Sequence, residues 1–92
     1  MQLELHIKNE GTPNTIDDCA VARAFRAAGV DDPRVLGGEA TFELNGEAMH
    51  CRKLPSAVLV AIEAFDRGIS FDPFKAVVEA EPWTGWARPE QT

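Results

Sequence analysis

Two thiols, Cys19 and Cys51, and two imidazoles, His6 and His50, are the side chains from which nucleophilic or metal chemistry would have to be built. A nucleophilic cysteine needs a lowered pKa, an adjacent base and a group that orients the base. Cys19 precedes a segment of helical periodicity, where a helix N-terminus would lower a thiol pKa. Nothing in the pattern brings His6 to it. A zinc site needs four ligands at short, regular spacing, and the sequence has no CxxC or HxxxH pair. His50 and Cys51 are adjacent in a strand pattern, so they point to opposite faces and would not share one ion. Gly37-Gly38 reads as a turn, because no phosphate-binding glycine pattern surrounds it. The carboxylate pairs Asp17/Asp18 and Asp31/Asp32 fall at a helix start and a turn, without the contrasting environments that separate an acid from a base. The expectation is a protein without catalytic, cofactor-binding or metal-binding residues, acting by binding another macromolecule.

Charge narrows the partner. Fifteen acidic residues against nine basic ones give a net charge of −6, which opposes direct binding to a phosphate backbone. An acidic face fits a basic partner, and it also keeps a protein soluble. No apolar run is long enough to span a membrane, and the charged, alternating start MQLELHIKNE does not read as a signal peptide. A cytoplasmic location and reduced thiols, buried as small apolar groups, are therefore expected.

The elements that would position these groups follow from local patterns. Leu3, Leu5 and Ile7 alternate with Glu4, His6 and Lys8, a half-buried strand, and residues 9–14 are turn chemistry. Thr15 is placed to cap a helix whose first turn holds Asp17 and Asp18. Val21, Ala24, Phe25 and Ala28 form its apolar stripe, Arg23 and Arg26 lie opposite, and Gly29 stops it. Asp31, Asp32 and Pro33 read as a turn before a short strand over 34–36.

Asn45-Gly46 between ATFEL and EAMHC predicts a two-residue hairpin. Its register sets Leu44 opposite Glu47, Phe42 opposite Met49 and Ala40 opposite Cys51 on an inward face. Thr41–His50 and Glu39–Arg52 form the outward pairs. Pro55 opens a second helix with Val58, Leu59, Ile62 and Phe65 as its buried stripe, and a flank of Ala57, Val60, Ala61 and Ala64. Asp66-Arg67-Gly68 ends it, and a last strand runs over 74–79. The order implies an α+β domain over 1–80: a two-layer fold with an antiparallel or mixed sheet of four to five strands and two helices on one face. Residues 81–92 read as a tail containing Trp83 and Trp86.

The segment from Asp18 to Phe74, well over half the chain, resembles a family of small uncharacterised bacteriophage and prophage proteins. DCAVARAFRAAGV followed by Val35-Leu36-Gly37, then LPSAVLVAIEAFDRG with DPF after it, carry the resemblance. The chain departs from that pattern at Ala20, where family members commonly have proline, and in its tryptophan-bearing tail. The resemblance implies a phage or mobile-element setting and no catalytic residue. In that setting the expected role is an accessory protein that inhibits a host defence complex, in the manner of an anti-CRISPR, by docking on a host protein or nucleoprotein. The alternative is a phage structural or assembly component acting as a homo-oligomer. The residues expected to meet a partner are the tryptophans Trp83 and Trp86, favoured at interface hot spots, and the acidic groups Asp31, Asp32, Glu79 and Glu81. The tail or the alanine-rich flank would also serve a homodimer.

Overall fold

The computed structural model describes residues 1–83. Its elements run β1 (Gln2–Ile7), α1 (Ala20–Ala27), β2 (Asp31–Leu36), β3 (Glu39–Leu44), β4 (Glu47–Cys51), α2 (Ser56–Asp66), β5 (Phe74–Glu79) and β6 (Glu81–Pro82). The α+β class is as expected. The strands, however, form two antiparallel sheets instead of one: β1 with β5, and β2-β3-β4-β6 in that order. Ala80 joins them, because β5 lies along β1 and the chain then crosses to pair β6 with β4.

The hairpin has the register that its turn dictates, with Leu44 opposite Glu47, Phe42 opposite Met49, Thr41 opposite His50 and Ala40 opposite Cys51. Asn45 and Gly46 take positive φ (53° and 80°), as a two-residue hairpin turn requires. Phe42 is fully buried and its ring lies 5.2 Å from that of Phe25 on α1. Around this pair are Leu5, Ile7, Val21, Leu54, Val58 and Val78. α1 packs between β1 and β2 and touches α2.

The first helix begins four residues later than the sequence pattern implies. Three hydrogen bonds close residues 12–18 on themselves: the Thr12 amide donates to the Asp18 carbonyl (2.7 Å), the Thr15 hydroxyl to the Thr12 carbonyl (2.7 Å) and the Thr12 hydroxyl to the Asp18 carboxylate (2.6 Å). Such local bonds compete with helix, so Cys19 and not Thr15 is the cap, its sulfur accepting from the Ala22 amide at 3.5 Å. Both helices end on a glycine motif, with the Val30 amide bonded to the Phe25 carbonyl and the Ile69 amide to the Ala64 carbonyl.

Three further expectations are corrected. Residues 31–33 belong to β2, with a register shift between Asp31 and Arg34, and do not form a free turn. α2 buries Val58, Ala61 and Phe65, while Leu59 and Val60 are exposed, so the helix is rotated toward its alanine flank. The boundary expected after residue 80 falls inside paired structure, since β6 belongs to the four-stranded sheet. Among the described residues no helix is long and apolar enough to cross a membrane.

Candidate functional site

The outer face of the four-stranded sheet gathers most of the polar side chains that sequence reasoning singled out. Residues directly opposite across paired strands share a face. Arg34 lies opposite Thr41, Thr41 opposite His50, and His50 opposite Glu81, which makes one continuous row from β2 to β6. Thr41 is the one buried polar residue among those described.

His50 is the centre of this row. Its Nε2 lies 2.9 Å from Glu39 Oε1, and its side chain is only 11% exposed. Trp83 stands edge-on to the imidazole with ring centroids 4.4 Å apart, and the Trp83 amide donates to the Ala48 carbonyl at 2.9 Å. The first tryptophan of the tail therefore covers the molecule's own histidine while staying partly exposed. Trp86 lies outside the described residues.

The acidic groups flank the row. Glu81 is 3.5 Å from Arg52, and Asp32 is 3.5 Å from Arg34. The expected Glu39–Arg52 pair does not form, because β6 inserts Glu81 beside Arg52 and leaves Glu39 to His50. Asp31 sits opposite Glu43 at the far end of the same sheet, so two carboxylates share one cross-strand position. Glu79 belongs to the other sheet, where it accepts from the Gln2 side-chain amide at 2.7 Å. It still borders a cleft lined by His50, Arg52, Lys53 and Glu81. The structure thus brings Asp31, Asp32, Glu81 and Trp83 to one sheet and sets Glu79 beside its edge. No local sequence pattern groups Arg34, Glu39, Thr41 and His50. The hairpin register contained the Thr41–His50 pair, but no local pattern supplied the neighbours on β2 and β6.

The arrangement is suited to recognition. Cys51 faces the core and His50 faces outward, so these chain neighbours form no thiol–imidazole couple. Burial pushes both thiols above the usual cysteine pKa. For Cys19 this corrects the expectation that the helix start lowers it: desolvation outweighs the amides of Ala22 and Val21, which act in the opposite sense. Alkylation of native protein at neutral pH is accordingly expected to be at least about tenfold slower at either cysteine than in the unfolded chain. Rapid labelling of native Cys19, located by peptide mass spectrometry, would contradict the burial described. The helix start is instead tied by Asp18, whose carboxyl is held below the ordinary range by hydrogen bonds from Arg23 and Thr12. Among the described residues no group of three or more His, Cys, Asp or Glu side chains is placed to hold a metal ion. No family model, curated protein or solved structure matches the chain.

Proposed function

We propose that this chain is a protein-binding module, docking through the outer face of its four-stranded sheet on a basic surface of a larger complex. The row Arg34–Thr41–His50–Glu81, ringed by Asp31, Asp32, Glu39 and Glu43, carries the reading. Carboxylates outnumber guanidinium groups on this face, and Trp83 adds a partly exposed aromatic ring. Such a surface attracts a cationic partner over distance and gives it an apolar anchor on contact.

The phage or prophage setting rests on the resemblance of the Asp18–Phe74 segment, and it points to a host defence complex as the target. CRISPR effectors have positively charged channels for nucleic acid, which an acidic protein of this size can occupy. The test is phage plating on a host with an active CRISPR system, with and without the chain, joined to binding of the purified effector at rising salt. Wild type is expected to restore plating and to bind more weakly as salt rises. Glu43→Lys/Glu81→Lys is expected to bind at least about tenfold more weakly while melting normally. Unchanged plating, or binding indifferent to salt and to both reversals, would sink the reading. The alternative, an assembly component acting as a homo-oligomer, is favoured by exposed Leu36, Leu59 and Val60, of which Leu36 and Leu59 line one cleft.

A further inference from the structure

An unpaired strand edge exposes a row of amides and carbonyls that another chain can extend, and proteins normally blunt it. The edges of this fold differ in that respect. β2 is interrupted by its register shift and by Pro33, which has no amide to donate. β6 is two residues long. β1 is flanked by α1, with Ala20, Ala24 and Ala27 set against His6 and Lys8 across a narrow cleft. Among the described residues β5 has none of these protections. It runs for six residues without proline or bulge, and among the described residues β1 is its only strand neighbour.

The direction of its free groups follows from the ladder. Met1 and Ala80 exchange both backbone bonds, at 2.7 and 2.8 Å. In an antiparallel pair such positions alternate, so Val78 and Ala76 bond across to Leu3 and Leu5. The amides and carbonyls of Lys75, Val77 and Glu79 point away from β1, out of the edge. The side chains of these three residues share the solvent face, where Val77 is 53% exposed. The Gln2 amide holds the Glu79 carboxylate on that face.

We propose that a second copy of this chain pairs with β5 along this edge, antiparallel about a two-fold axis through Val77. In that register Val77 meets the partner subunit's Val77, and Lys75 meets the partner subunit's Glu79. By symmetry Glu79 meets the partner subunit's Lys75. Every charge then faces its opposite, the exposed apolar group faces its like, and each outward amide finds a carbonyl. Sliding the strands by two residues sets Val77 against a charged side chain and loses the match. A base, an apolar residue and an acid at alternate positions are complementary to themselves read backwards, which identifies the occupant as the same strand. The result is a four-stranded sheet crossing the two-fold axis, in the order β1-β5-β5-β1.

The test is sedimentation equilibrium of the full chain from micromolar to millimolar concentration. Wild type is expected to show a reversible monomer–dimer equilibrium. Val77→Pro removes an outward amide that the β1 ladder does not use, and it is expected to leave only monomer with an unchanged circular dichroism spectrum. Lys75→Glu and Glu79→Lys should each weaken the dimer about tenfold, because each reversal meets two like charges across the axis. The double reversal should recover to within about threefold of wild type. A wild type that is monomeric at millimolar concentration overturns the proposal. So does a dimer that tolerates Val77→Pro, or one whose charge reversals do not rescue each other. A monomer that still restores phage plating would leave the partner-binding reading standing and remove only this one.

Discussion

Phe42→Ala is expected to cost about 3–5 kcal/mol of folding stability, as truncation of a large aromatic in a packed core does. A chain of this length has about 5–14 kcal/mol in total, so the variant will be marginal. The size of the loss follows from position. Phe42 is fully buried, lies opposite Met49 across the hairpin and contacts the Phe25 ring at 5.2 Å. Its removal opens a cavity between α1 and the sheet, and also takes away an aromatic pairing contribution beyond the buried area. Neighbouring Phe25 and Val21 are fixed on α1 and Met49 on β4, so collapse into the space will be incomplete. Phe42→Leu keeps most of the volume and should cost about 1.5 kcal/mol or less. Urea unfolding followed by circular dichroism measures both. A loss under about 1 kcal/mol for the alanine variant would mean that the helix does not pack on the hairpin as described.

Gly11→Ala is expected to cost about 3 kcal/mol or more, although Gly11 lies in a loop. Its φ of +118° lies outside what an L-residue readily adopts, and an added Cβ would stand 2.4 Å from the Asp18 carbonyl oxygen. That carbonyl accepts the Thr12 amide at 2.7 Å, and the Asp18 side chain ties Thr12 to Arg23 at the start of α1. The clash is with backbone, so relief requires the whole 11–18 segment to move away from the helix start. Gly29→Ala is the matched control. Gly29 also has positive φ, +96°, but nothing lies within 4 Å of its Cβ position. Its cost should be only the conformational one, about 1–2 kcal/mol. At roughly 4–8 °C per kcal/mol for a domain of this size, the two variants separate clearly in a melting experiment. Equal shifts would mean that the loop does not close on Asp18.

The same two sites mark how much of the molecule is legible in its sequence. Phe42 is readable as core because strand alternation and a two-residue turn are local, and together they assign each hairpin side chain to a face. Gly11 is readable only as a turn residue, because what makes it indispensable is a carbonyl seven positions away. Thr15 illustrates the converse. Its type and spacing make a good helix cap, yet the mutual bonding of residues 12–18 wins and delays the helix to Ala20. Leu59 is likewise apolar at a helical period, and stands exposed because α2 presents Ala61 to the core instead.

For the candidate site the division is sharper. In the sequence Trp83 stands out as a ring favoured at interfaces, Glu81 as an acidic group beside it, and Asp31 and Asp32 as acidic groups at a turn. Their chemistry depends on pairings between distant segments: β6 with β4, and the far end of β3 with β2. Glu39 shows the consequence. Hairpin register alone assigns it Arg52, but Glu81 arrives from the end of the chain and takes that partner.

What the sequence determined by itself was therefore whatever rests on neighbours within a few residues: the α+β class, the hairpin and its register, the bounds of β5, the glycine stops of both helices and the inward direction of Cys51. Long-range packing is what divides the strands into two sheets joined at Ala80, lays Trp83 over His50, raises the Cys19 thiol and leaves β5 an open edge among the described residues. Each of these depends on which distant segment arrives at a given place. Closing a contact such as Met1 to Ala80, 79 residues apart, is chosen by the packing of the whole core, and no local periodicity encodes it.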